Sequence, residues 1–420
     1  VDTIAIPGLF NIYKIGIIIY AFLLILNMKI SFSTNKNDRL VNFAFVLFSL
    51  SYWISYSFNG GEILTVLSQF LYKYGFLWIA YQFFKDINYN IPKREYIKYM
   101  LFVILYIQIA VSFFKILLMR FSVEGLVGTI SYGGGGPAVV IPIVGLFFYW
   151  IIKKGRFKKR DWLFVFLILI ISIASGKRQP IIFYPVILFA LFIFVTKSIR
   201  LINILKFLFI ATIVFYVGVK MTATITPEKK VGGSFDISYI ISYVKDYYLG
   251  NTNKSGSIFD DDYRTNQRGD GIILYIKPER LTLNNTAEVL FGKGVYDVAI
   301  GKYGRFTAGS SRSDYGIQHD GLIGEGISVL YTIGYFGLIS LLIITGAIIF
   351  SIKNKRLGWL IFIYFLWDFL FYYNQMMFLN TSALFVLFVI FYFPKKGEFI
   401  SLKHYLQTIK KNNKTTRGII

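Results

Sequence analysis

Only two histidines occur in the 420 residues, and one of them, His319, lies in the stretch SDYGIQHDGLIGEG (313–326), where a polar segment gives way to an apolar one. An imidazole with an unperturbed pKa near 6.5 can take a proton at neutral pH, so His319 is a candidate general base. Gln318, Asp320 and Glu325 flank it, and either carboxylate could orient the ring. A lone histidine beside an apolar run is more often a structural residue. Its place at the mouth of a helix argues for the chemical reading.

Cations form the second group. ASGKRQP places Lys177 and Arg178 side by side between two apolar runs. A Lys or Arg at membrane depth costs about 2.5–3.5 kcal/mol on insertion scales. Two readings are open for the pair: an anion clamp in which arginine binds diphosphate bidentately, or snorkelling to lipid headgroups. YRTNQRGDG adds Arg264 and Arg268, four apart and so on one face if helical. The preceding acidic triplet, 260–262, could offer oxygens to a divalent ion, but three consecutive aspartates cannot all face one site. No metal centre and no cofactor are expected. The chain has no cysteine, which excludes disulfides and thiolate chemistry. The glycines of EVLFGKGVYDV (288–298) read as a turn. Those of IGYFG, Gly334 and Gly337, read as small residues that let helices pack closely.

Something must hold these residues in place. The chain is 55% hydrophobic and 16% charged, with a mean hydropathy of +0.58. Soluble domains carry about a quarter charged residues, so the composition is that of a multi-pass membrane protein. A spanning helix needs about 20 apolar residues. Eleven runs qualify: 10–28, 40–58, 63–84, 97–119, 136–152, 161–176, 180–196, 201–219, 325–350, 357–374 and 377–394. The sixth and seventh read as two short helices or one broken hairpin.

The formal net charge is +23. In a soluble protein that would point to nucleic acid. Here the basic residues gather in 29–39, 85–98, 153–161, 197–200 and 353–356, on alternate connections, whereas FNGGE and NQMMF carry no Lys or Arg. The positive-inside rule makes the basic set cytoplasmic, and no nucleic-acid partner is expected. The tail, 395–420, falls inside and the N-terminus outside, which leads us to expect a twelfth helix ahead of the first. No cleavable leader is visible before the first run. The layout is then N-terminal membrane helices over 1–219, an outer loop over 220–324, C-terminal membrane helices over 325–394, and the basic tail. A loop of about a hundred residues is long enough to imply function. Within it, ISYIISYVKDYYLG and DGIILYIKPERL are amphipathic and suited to lying along the outer membrane surface.

The order of motifs resembles the O-antigen polymerase and O-antigen ligase family of bacterial envelope glycosyltransferases. The likeness covers about 160 to 350. SGKRQ is similar to the family's SxxR element and points to Arg178. RGDGIILYI is similar to its loop arginine helix and points to Arg268. LFGKGVYDV is similar to its glycine motif, and HDGLIGEGISVLYTIGYFG to its histidine motif, pointing to His319. Two departures stand out: Asp320 where relatives often have Asn, and Tyr275 near the place where ligases carry a Trp. They leave polymerase against ligase open, and the weak ligase motifs favour the polymerase.

The resemblance implies an all-α polytopic membrane protein with about 11–12 transmembrane helices and a GT-C-like architecture, in the bacterial inner membrane. It implies a glycan donor linked through diphosphate to undecaprenol, and an acceptor hydroxyl on a second lipid-linked unit. It implies a metal-independent, inverting transfer, and a chain-length regulator as a possible partner besides the bilayer. Arg178, Arg268 and Lys177 would stabilise the diphosphate leaving group. His319 would take the acceptor proton, worth about 10²–10⁴ in rate; alternatively His319 binds diphosphate and Asp320 or Glu325 is the base. Arg264 and Gln318 would line the same site. A lipid-linked oligosaccharide flippase is the competing class, but it would be expected to show two related halves, and no internal repeat is visible. A non-catalytic envelope scaffold is the third reading.

Overall fold

In lipid, every backbone N–H and C=O must be bonded within the protein, and a run of apolar residues achieves this only as a helix. The computed structural model describes residues 36–70, 78, 81, 91–118, 135–153, 157–174, 178–195, 201–222, 225–248, 274–281, 283–294, 325–350 and 354–371. Among these there are helices and connecting turns but no strand.

In chain order the helices are α1 (Lys36–Asn59), α2 (Ile63–Gln69), α3 (Ile91–Leu118), α4 (Gly135–Ile152), α5 (Lys159–Ala174) and α6 (Arg178–Ala190), which runs on as a π turn over Leu191–Val195. Then come α7 (Leu201–Met221), α8 (Ile237–Tyr248), a 3₁₀ turn (Pro278–Leu281), α9 (Thr286–Phe291), α10 (Glu325–Ile349) and α11 (Lys355–Phe371). Among the described residues, three stretches are long and apolar enough to cross a membrane: Arg39–Asn59, Glu95–Leu118 and Gly326–Ile349. The chain is thus mostly helical, of a kind suited to a membrane. The sixth and seventh apolar runs fold as two helices, α5 and α6. The first and last runs, 10–28 and 377–394, lie outside the described residues.

One continuous apolar core joins α1, α3 to α6, α10 and α11. Helix α10 is its centre: Ile327, Val329, Leu330, Ile333, Leu341 and Ile344 are buried, and it packs along α1 and against α11. Helix α3 lies at the edge, with Phe114, Leu117 and Leu118 exposed, as expected of side chains that meet lipid. Gly218 brings α7 up to α6, since a Cβ there would collide with Ile181.

The basic end of the bundle has its own anchor. Asp161, 4% exposed in the first turn of α5, accepts from the Tyr149 hydroxyl (2.6 Å) and the Lys158 N–H (2.6 Å), and pairs with Lys153 Nζ at 2.7 Å. Rings of Trp150, Phe157, Trp162 and Phe192 pack beside it, with Trp162 and Phe192 stacked at 5.2 Å. Aromatic rings and lysines at one level are what a membrane–water boundary favours.

The long connection is not a solvated excursion throughout. Leu274, Leu281 and Leu283 are buried in the main core. In the second of its two amphipathic stretches, Leu274 and Leu281 therefore pack against the helices, while Ile276 between them is exposed.

Candidate functional site

The two glycine motifs meet. Gly334 has φ +75° and ψ −173°, so α10 is two helices joined at a break, not one straight helix with a packing glycine. Such backbone angles are essentially restricted to glycine. The break lies nine residues into the helix, roughly 14 Å from its start at 1.5 Å per residue. Carbonyls of the preceding turn then need donors from elsewhere, and the GKG turn supplies them. Lys293 N–H donates to the Tyr331 carbonyl (2.8 Å) and Gly294 N–H to that of Thr332 (3.1 Å). The Ser55 hydroxyl of α1 adds a second bond to Thr332 O, at 2.7 Å.

This contact is backbone against backbone. A Cβ on Gly334 would collide with the carbonyl of Leu290, and one on Gly292 (φ +77°) with the peptide of Thr332 and Ile333. Asn59, the last residue of α1, holds the turn from the other side: its amide donates to Ser55 O (2.8 Å) and Gly292 O (3.3 Å). Helix α9 is capped by Asn285, whose side chain accepts from Glu288 N–H at 2.8 Å, so it enters the contact as a rigid piece. The described part of EVLFGKGVYDV, EVLFGKG (288–294), is therefore a docking element, which its sequence disclosed only as a turn.

A second junction lies where α10 begins and α11 ends. Tyr275 bridges them: its hydroxyl donates to Leu370 O (3.4 Å), and its carbonyl accepts from the Tyr335 hydroxyl. Gly326 leaves room for that ring, and a Cβ there would also come within 3.0 Å of Phe369. Helix α6 meets the same end of α11 through Phe183, 5.1 Å from Trp367 and 6.2 Å from Tyr364. Arg178 is the first residue of α6 and Glu325 the first of α10, so two of the residues singled out from sequence head helices that converge on the last turns of α11. His319, Gln318, Asp320, Lys177, Arg264 and Arg268 lie outside the described residues.

Those turns hold a residue the sequence reading passed over. Asp368 is 0% exposed, within the apolar run YFLWDFLF. Tyr364 precedes it by four and shares its face; the Tyr364 hydroxyl is buried without a hydrogen-bond partner among the described residues. An acid inside a membrane helix is costly, and such residues mark functional sites by default. Its signal was the single charge in that run, missed because charges were sought in the loops.

At the start of the connection, Glu228 accepts from Ser234 N–H at 2.8 Å; bonds from Ser234 hold its exposed carboxyl below the usual range. This closes the turn after α7 and belongs to no site. Among the described residues no group of three or more His, Asp or Glu could hold a metal ion; residues 260–262 lie outside them. The chain matches no family model, no curated protein and no solved structure.

Proposed function

We propose that the chain is a membrane glycosyltransferase that polymerises undecaprenyl-diphosphate-linked oligosaccharide repeat units into surface polysaccharide, O-antigen or capsule, at the outer face of the bacterial cytoplasmic membrane. The observation that carries this reading is the convergence of α6, headed by Arg178, and α10, headed by Glu325, on the end of α11 that holds Asp368. By loop charge that end is the outer one, where lipid-linked sugars and water meet.

In the reaction an acceptor hydroxyl attacks the anomeric carbon of the donor glycan. The bond from that carbon to the diphosphate oxygen breaks, and undecaprenyl diphosphate leaves with the electron pair. The acceptor proton goes to His319 or to a neighbouring carboxylate. Arg178, Arg268 and Lys177 hold the charge that grows on the leaving group, an electrostatic role strongest where water is excluded. Gln318, Asp320, Glu325 and Arg264 bind the sugars and orient the base. The chemistry needs no nucleotide and no cofactor.

The test is a polysaccharide ladder from cells carrying Arg178→Ala or His319→Ala, with the folded protein verified in the membrane. Loss of chain extension is expected; normal ladders in both would overturn the proposal. The deletion strain separates the related readings. A lost polymerase leaves single repeat units on the final acceptor, a lost ligase leaves long chains on the carrier lipid, and a lost flippase strands units inside.

A further inference from the structure

Helix α7 carries an exposed apolar stripe: Leu205, Phe209, Ile213 and Tyr216 follow one another along a single face, and Lys220 ends it. The ammonium of Lys220 sits 5.3 Å from the Tyr216 ring centre. A tyrosine and a lysine closing a lipid-facing stripe mark the level of the headgroups.

The chain then returns to that level. Gly232 N–H donates to Lys220 O at 2.7 Å, and the Phe235 ring lies 5.1 Å from that of Tyr216. Asp236 caps the start of α8, accepting from Tyr239 N–H at 3.1 Å, so the helix begins beside the headgroup marker. Its apolar face is broad and is used in two halves. Ile240 is buried with Val219 and Ile225, and Tyr243 and Val244 pack on them. Ile237 and Ile241 point away, 60% and 63% exposed. Lys229 and Lys230 are exposed in the turn before α8 and Lys245 in its last turn, and Ser238 and Ser242 lie on a flank of the helix, about 100° round on average from Ile237 and Ile241.

From this exposed apolar edge, starting beside the Tyr216–Lys220 level and accompanied by lysines, we infer that α8 is an interfacial anchor. It lies in the plane of the outer leaflet, Ile237 and Ile241 enter the boundary between headgroups and acyl chains, and the lysines meet anionic lipid phosphates. Amphipathic helices of this kind sink about 5–10 Å below the headgroup surface, and basic residues beside them add attraction to anionic lipid. The partner is a lipid surface, not a soluble ligand. The anchor fixes the depth of the connection that bears Arg264, Arg268 and His319. The inference rests on reading α7 as a membrane helix and is independent of the glycosyltransferase chemistry.

The absence of cysteine makes the test direct, because one introduced thiol takes one spin label. The full chain would be labelled singly at Ile213→Cys, Ile237→Cys, Ile241→Cys, Ser238→Cys or Ser242→Cys and reconstituted in vesicles of phosphatidylethanolamine and phosphatidylglycerol. Collision rates with oxygen and with a water-soluble nickel chelate report depth. Labels at 237 and 241 should match the 213 reference in favouring oxygen, several-fold above those at 238 and 242. Replacing phosphatidylglycerol with phosphatidylcholine should raise the 237 and 241 labels toward water. Labels at 237 and 241 that favour nickel overturn the anchor. So do labels shielded from both reagents, which would mean that protein covers the face. A 213 label open to nickel overturns it differently, by removing α7 from the membrane. All five positions are exposed, and unchanged gel-filtration profiles exclude misfolding as the cause of any outcome.

Discussion

Substituting alanine at Gly334 and at Gly346, two glycines of the same helix, should move stability in opposite directions. At Gly334 the backbone angle is one that alanine resists, at about 1–3 kcal/mol. The added methyl would also collide with the Leu290 carbonyl, so α9 and the GKG turn must withdraw. Withdrawal breaks the bonds from Lys293 N–H and Gly294 N–H to the carbonyls of Tyr331 and Thr332, each worth about 0.5–1.5 kcal/mol net. Together these give a loss of about 2–6 kcal/mol for Gly334→Ala. Gly346 differs: a Cβ there meets only Phe362, at 3.6 Å, an ordinary contact. Alanine is also the better helix former, so Gly346→Ala should be neutral or stabilise by about 0.5–1 kcal/mol.

The assay is reversible unfolding of the purified chain in mixed dodecylmaltoside–SDS micelles, followed by tryptophan fluorescence. Equal midpoints for the two variants would refute the docked-turn geometry. Should Gly334→Ala not fold at all, Gly294→Ala provides the milder test. Its Cβ meets the Asn59 Cβ at 2.6 Å, so part of its loss should vanish in combination with Asn59→Gly, a non-additivity expected only of groups in contact.

Other perturbations read other parts of the structure. Asp368→Asn should leave the chain folded and lower polysaccharide synthesis by about 10²-fold, the scale of losing one preorganised group; a wild-type ladder would refute its assignment to the site. Asp161→Ala should destabilise by about 1–3 kcal/mol in the same micelle assay, because the buried Tyr149 hydroxyl loses its acceptor while Lys153 is left partly solvated. Tyr149→Phe should cost only about 0.5–1.5 kcal/mol, and an equal loss in the two would contradict Asp161 as the shared partner. Ser55→Ala should cost about 1 kcal/mol, smaller than Gly334→Ala because Thr332 O keeps the Gly294 N–H.

Much of the helical frame was legible because hydropathy is set residue by residue. The runs read at 40–58, 97–119, 136–152, 161–176, 180–196, 201–219, 325–350 and 357–374 each coincide with a helix to within a few residues at the described ends. Pairings were not legible. That α1 lies along α10 follows from complementary surfaces nearly three hundred residues apart, and composition carries no trace of it. Asp368 was visible as a lone acid, yet only its complete burial sets it apart from an ordinary helix-end charge.

The glycines show why the site was harder to read than the frame. Read one at a time, Gly292 is a turn residue and Gly334 a packing residue, and both readings are sound locally. Each has a backbone angle that only its partner explains: Gly334 breaks a helix, and the break is tolerable because the turn at Gly292 brings two N–H donors to the exposed carbonyls. Irregular backbone at membrane depth survives only where protein covers it. Segment 283–294 of the long connection therefore does not hang free of the bundle. It completes the hydrogen bonding of the central helix, so the geometry at the head of α10, where Glu325 begins the chain's descent, depends on a loop segment docked thirty residues before it. A reaction that needs the loop arginines and the helix-head residues in one place requires a coupling of this kind.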